Sequence, residues 1–220
     1  MSASGKPFPK TFFLRPTVEV ARGLLGALFV RNLPRGGRIV RLVGRIVEVE
    51  AYLQGDPACH SVRELKDGTC VPRPSARNKA MFGPPGRAYV YFTYGMHHAM
   101  NVVAQKEGIA EGVLIRALEP LEGLEIMADL RGVDARRPRQ LTSGPGKLTK
   151  ALAIDRTLDG HDLSMPPLML LQGRRIPPAR IGVSRRIGIR KAVERPLRFF
   201  EIGNLFVSCG AKQKVVGLRS

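Results

Sequence analysis

The stretch from Ile39 to Tyr52 restricts the fold more than any other part of the chain. It carries Ile39, Val40, Val43, Ile46, Val47 and Val49, with Gly44 as its one interruption. Branched side chains are stiff at χ1 and suit a pleated surface. A strand of that length needs neighbours to satisfy its backbone, so it must lie inside a sheet. Further strands are predicted at Ala27 to Asn32, Arg87 to Tyr94, Ala99 to Ala104 and Gly112 to Leu118, and short ones between Leu168 and Val216. Pro34-Arg35-Gly36-Gly37 reads as a turn between the first two. Helical spacing predicts a helix from Thr17 to Leu25, capped by Thr17 and stopped by Gly26. A second starts at Pro120 and runs to Leu130, and a short third ends at Ala153. The expected fold class is α+β. One domain, 15–220, holds a mostly antiparallel curved sheet with flanking helices and a protruding hairpin, preceded by a flexible basic arm, 1–14.

The end of the long strand carries chemistry. Alternation puts Val47, Val49 and Ala51 on one face and Ile46, Glu48, Glu50 and Tyr52 on the other. Two carboxylates and a phenol on one face are costly to bury without a task. A solvated strand face is the plain alternative.

Tyr89, Tyr91 and Tyr94 are three of the chain's 4 tyrosines. Tyr89 and Tyr91 share a face, with Val90 and Phe92 on the other. Tyr94-Gly95-Met96-His97-His98 reads as a hairpin tip whose exposed aromatic could enter a base stack. Core tyrosines are the competing reading. His60-Ser61 falls in a long loop, 53–79, where histidine is ordinarily a surface residue. His97 and His98 are adjacent, so on a strand they point to opposite faces and make a poor metal pair; no metal site is expected.

The charge is 36 basic against 18 acidic residues, net +18. Such an excess attracts polyanions, nucleic acid first and an anionic membrane surface second. Arg73, Arg77, Arg136, Arg137, Arg139, Lys147, Arg185, Arg186 and others lie mainly in loops, which suggests a basic groove. No apolar run approaches the roughly 20 residues that span a bilayer, so a cytoplasmic protein, nucleoid-associated in a prokaryote, is expected. Cys59, Cys70 and Cys209 are odd in number and irregularly spaced, hence read as reduced thiols. Ser143-Gly144-Pro145-Gly146-Lys147 lacks the P-loop spacing. A phosphodiester contact by Ser143, Gly144 and Lys147 is plausible there, or merely a capped helix.

Several segments together resemble the alkyladenine (3-methyladenine) DNA glycosylase family. They are Gly44 to Leu53, Ala58 to Ser61, Arg77-Asn78, Met81-Phe82, Pro85-Gly86, Tyr89-Val90-Tyr91, Tyr94-Gly95-Met96, Met100-Asn101, Arg116 to Gly123, Ser143-Gly144-Pro145, Lys147-Leu148, Ala151 to Ile154 and Arg195 to Phe199. They run in order from about residue 16 to about residue 208. The resemblance implies a monofunctional enzyme, without cofactor, that flips alkylated purines out of double-stranded DNA and hydrolyses the N-glycosidic bond. It implies that Glu50 activates the water and Arg116 lies near that water. Tyr52, His60 and Tyr91 would sandwich the base, and Asn101 would hinder the amine of guanine. Tyr94, with Met96 beside it, would fill the vacated stack. Glu48 is read as structural. His97-His98 departs from the aromatic residues frequent at that place. A monomer is expected. Two rivals remain at this level: a non-catalytic nucleic-acid-binding module, and a metal-dependent nuclease using His60, His97 and acidic partners.

Overall fold

The computed structural model describes residues 3–93 and 95–208. Tyr94 and Cys209, both named above, therefore lie outside the described residues. Among the described residues ten strands and five α-helices follow in chain order: α1 (Lys10–Phe13), α2 (Thr17–Leu24), β1 (Leu28–Arg35), β2 (Arg38–Tyr52), β3 (Val62–Glu64), β4 (Cys70–Pro72), β5 (Ala88–Thr93), β6 (His97–Ala104), β7 (Glu111–Glu122), α3 (Leu124–Arg131), α4 (Arg139–Thr142), α5 (Pro145–Ala151), β8 (Leu168–Leu171), β9 (Ile181–Ser184) and β10 (Arg198–Glu201). The main sheet runs β5-β6-β7-β2-β1-β8, with β10 also on β2 and β9 on β10. Every pairing in it is antiparallel. The α+β class, with one domain built on one curved sheet, is as expected.

Alternation divides the sheet into two faces. Val49 and Ala51 of β2, Val90 of β5, Met100 and Val102 of β6, and Val113 and Ile115 of β7 enter the main core. Helices α2, α3 and α5 cover that face with Val20, Leu24, Met127 and Leu148. The intervening positions, Tyr89, Asn101, Leu114 and Arg116, meet on the opposite face around a cavity. Gly26, in the left-handed region at φ 86°, ends α2 as predicted.

Several expectations change. Ile46 does not share a face with Glu48 and Glu50. The β2–β7 register shifts between Ile46 and Glu48, so Val47 is an extra residue in a bulge. Ile46 enters the main core, while Val47 packs with Ala117 and Phe200. Gly44 does not interrupt β2; a Cβ there would lie 2.8 Å from the Leu118 Cβ, so glycine permits close approach of β7. Pro120 does not start a helix. It pairs with Gly44 inside β7, and α3 begins after Gly123. Thr17 gives its hydroxyl to Glu111 Oε2 at 2.5 Å rather than capping α2. His97 and His98 belong to β6, opposite Thr93 and Phe92, so the tip is shorter than expected. The 53–79 loop contains the β3–β4 hairpin. Residues 3–14, expected as an arm, carry α1 and lay Phe12 and Phe13 in the core, with Pro7 bridged to Leu171.

Candidate active site

Residues from four neighbouring elements converge because the strand register aligns them. Leu114 lies opposite both Glu50 and Asn101, and Asn101 lies opposite Tyr89. The cavity they border holds ≈ 230 Å³ and is walled by Tyr52, Tyr89, Tyr91, Asn101 and Arg116, by Ala58–His60 from the loop after β2, and by Ile187–Ile189. Thus Tyr52, His60, Tyr91, Asn101 and Arg116 line one space, and Glu50 lies directly behind it. Glu48 and Glu50 are both fully buried. The solvated-face reading of β2 is overturned by the covering loop that follows β9 and by β10.

Glu50 is held on both oxygens. Oε1 accepts the Ile187 backbone N–H at 2.7 Å and lies 3.2 Å from Arg116 Nη1; Oε2 accepts the Tyr52 hydroxyl at 2.9 Å. Burial pushes its pKa up, against the pull of Arg116, the Ile187 N–H and Tyr52, while the Glu48 charge adds to the rise. A carboxylate with a raised pKa, buried beside a cavity, is suited to accepting a proton. Burial and the Glu50 charge raise Tyr52, keeping it a neutral donor.

Glu48 anchors the surroundings. Its Oε1 accepts Arg116 Nε at 2.9 Å, Arg198 Nε at 2.7 Å and the Ser208 hydroxyl at 2.9 Å, and Oε2 accepts the Ser208 N–H at 2.6 Å. Burial disfavours the Arg116 cation, but Glu50 and Glu48 outweigh it and raise its pKa. One guanidinium thereby serves both carboxylates. The structural reading of Glu48 fits this geometry.

The walls are aromatic. His60 stands edge-on to Tyr91, ring centroids 4.4 Å apart, and Tyr91 stacks on Tyr89 at 5.1 Å. Desolvation and then the Arg77 charge lower the His60 pKa, which favours the neutral ring. Asn101 gives its amide N–H to the Tyr89 carbonyl at 3.3 Å, which fixes its side chain in the cavity lining.

Ser143, Gly144 and Lys147 are not part of this cavity. They border an adjoining open depression with Arg136, Arg137, Arg139 and the 205–208 segment, and Arg116 lies between the two spaces. Met96 is 70% exposed at the hairpin tip. Among the described residues no group of three or more His, Cys, Asp or Glu is placed to hold a metal ion, and no helix is long and apolar enough to cross a membrane. Cys59 and Cys70 are free thiols.

Sequence reasoning missed three contributors. Ile187 acts through its backbone, which no side-chain pattern reveals. Tyr89, whose pattern fits a core tyrosine equally well, lines the cavity. Arg186, counted with the groove arginines, is instead buried and ion-paired to Asp56. Its only sequence signal was an Arg-Arg pair, which normally marks a solvated surface.

The family model described as methylpurine-DNA glycosylase matches residues 11–205. A Salinibacter ruber protein is 47% identical over 92% of this chain and 97% of its own length. One from Carboxydothermus hydrogenoformans is 46% identical and one from Methanoculleus marisnigri 48%, each over 91% of this chain and 97% of its own. All three carry names describing a 3-methyladenine DNA glycosylase.

Proposed function

The chain belongs to the methylpurine-DNA glycosylase family, and from that premise we propose how its own residues divide the work of a monofunctional DNA-repair glycosylase. The observation that carries the assignment is Glu50, buried behind an aromatic cavity and held by three groups that line it, Arg116, Tyr52 and the Ile187 N–H.

The substrate is an alkylated purine in duplex DNA, of the 3-methyladenine or 7-methylguanine type, flipped into the cavity. Tyr52 forms one wall, and Tyr91 with His60 the other. Electron-rich rings favour a cationic base, and a neutral His60 adds no repulsion. As the C1′–N bond lengthens, its electron pair leaves with the base and positive charge grows on the sugar. The Glu50 carboxylate opposes that charge and takes a proton from the water whose oxygen bonds to C1′. The products are free base and an abasic site. Arg116 holds Glu50 in register and borders the water's position. Asn101 at the floor hinders the exocyclic amine of guanine.

Tyr94, with Met96 beside it, fills the space left in the stack, offsetting part of the few kcal/mol that flipping costs. Ser143, Gly144 and Lys147 contact the phosphodiester backbone, supported by the arginines of the same depression. The enzyme acts as a monomer on chromosomal DNA in the cytoplasm, nucleoid-associated in a prokaryote. The test is Glu50→Gln. It keeps binding to alkylated duplex and loses base release by about 10²–10⁴-fold; near-normal release moves the role elsewhere.

A further inference from the structure

The Arg186 guanidinium is wholly buried with Asp56. Its Nη1 gives hydrogen bonds to Asp56 Oδ2 at 2.5 Å and to the Ala51 carbonyl at 3.1 Å, and Nη2 reaches the Ala192 carbonyl at 3.4 Å. Its Cζ lies 4.6 Å from the centroid of the Tyr52 ring. The next residue, Ile187, gives its N–H to Glu50. Asp56 opens the turn that leads to His60: its Oδ1 accepts the Ala58 N–H at 3.0 Å and its carbonyl the Cys59 N–H at 2.8 Å.

We propose that Arg186 is a positioning residue for base excision, clasping the Asp56 loop to the Ile187 loop across the back of Tyr52 and so fixing both the Ile187 N–H on Glu50 and the outer side of the base wall. The proposal rests on the assignment of Glu50 made above. Three independent parts of the cavity, the 58–60 edge, the Tyr52 wall and the 187–189 edge, meet at this one side chain.

The chemistry favours arginine specifically. Its Nη1 serves the Asp56 carboxylate and the Ala51 carbonyl, its Nη2 reaches the Ala192 carbonyl and its Cζ stays over the Tyr52 ring, a spread of contacts that the single ammonium of a lysine cannot cover. A buried ion pair is weak support for stability alone, because desolvation offsets its attraction. A phosphate-contact role is incompatible with a side chain enclosed by Asp56 and Tyr52.

The test compares Arg186→Lys and Asp56→Asn with the unaltered full-length enzyme and with Glu50→Gln, on methylated duplex DNA. Single-turnover release is followed across pH, together with affinity for undamaged duplex across salt and thermal melting. Glu50 faces Arg116 from β7, Tyr52 and Glu48 from its own strand, the Ile187 N–H from the loop, and Arg198 of β10 through Glu48. The Ile187 N–H and, through the Tyr52 ring, the Tyr52 hydroxyl depend on the clasp, whereas Arg116 is held independently by Glu48. In folded Arg186→Lys, plateau release therefore falls about tenfold or more. The acidic limb of the profile moves to higher pH, and the salt dependence stays unchanged. A lowered melting temperature with release within about threefold and an unmoved limb makes Arg186 structural only. A salt slope smaller by about one with normal release makes it a phosphate contact. If neither variant folds, the clasp is a requirement of the fold and the proposal fails. If Glu50→Gln still releases base, the assignment of Glu50 fails instead, separately from the rate effect of Arg186.

Discussion

Tyr52 and Glu50 stand two residues apart on β2, and the phenol of the first donates to Oε2 of the second at 2.9 Å. The bond stabilises the charged form of a carboxylate that burial pushes toward the neutral one. In Tyr52→Phe the ring and its stacking area remain and only the donor is lost. The Glu50 pKa then rises further, the acidic limb of the release profile moves to higher pH, and the plateau rate falls roughly tenfold, the worth of one hydrogen bond to a charged group. Affinity for alkylated duplex stays. A pH profile of single-turnover release checks this, and an unmoved acidic limb contradicts it.

The same raised pKa predicts a stability effect. Where the folded carboxyl binds its proton more tightly than the unfolded one, the folded state holds the extra proton between the two pKa values. Stability therefore falls as pH rises through the ordinary carboxylate range to the elevated Glu50 value, and stays lower above it. Glu50→Gln removes that loss. Its amide oxygen can accept from Ile187 and its amide N–H can face the Tyr52 oxygen. The variant is expected to melt higher than the unaltered enzyme at neutral pH, with the difference closing as both are acidified. Melting curves at several pH values decide it; a lower melting point at neutral pH sinks the argument.

The legible parts of this site were those that side-chain pattern encodes. Alternation alone placed Glu48, Glu50 and Tyr52 together and Tyr89 beside Tyr91, because the strand period is fixed by backbone geometry. It failed at Ile46, because the Val47 bulge adds one residue and reverses the face before it. Nothing in Glu-Val-Glu says that a loop more than 130 positions away supplies the N–H on Glu50, a contact set by tertiary packing. Motif resemblance gathered His60, Asn101 and Arg116, which no local rule joins. Pro120 misled for a related reason. As a helix-start signal it is sound, but here the strand continues through it to Glu122, opposite the Gly44 that lets β7 come close.

That close approach yields a prediction for Gly44→Ala. The added methyl would meet the Leu118 Cβ at 2.8 Å and its Cδ1 at 2.9 Å. Both strands are packed on core neighbours, so relief requires backbone movement. The expected cost is about 1–3 kcal/mol, seen as a melting point lower by several degrees. An unchanged melting point would mean that β7 yields at no cost.

Binding to undamaged duplex should weaken steeply with salt, since phosphate contacts release counterions. The depression beside the cavity supplies Arg136, Arg137 and Lys147. Arg136→Ala and Lys147→Ala should each lower affinity whatever the DNA sequence and reduce the salt slope by about one. Release from the bound complex should be unaltered, because neither residue borders the base cavity. Titrations at several salt concentrations measure this; slopes equal to that of the unaltered protein would remove these residues from the DNA interface.

Asn101 offers a test of selectivity. The residue is 5% exposed, and its amide is tied to the Tyr89 carbonyl on the neighbouring strand. It cannot swing aside to admit a larger base without giving up that bond. In the proposed placement the C2 amino group of guanine meets this fixed side chain, whereas adenine, with hydrogen at C2, does not. Asn101→Ala removes the obstacle and leaves the carboxylate, its partners and the aromatic walls intact. Release of 7-methylguanine should therefore rise relative to 3-methyladenine. The change in ratio should be about 10–100-fold, within the range that pocket-shape discrimination supplies. Slow release of undamaged guanine should become detectable as well. A competition assay on one duplex containing both lesions reads the ratio directly and cancels differences in folded fraction. An equal loss of both activities would show that Asn101 supports the cavity wall and does not select the base.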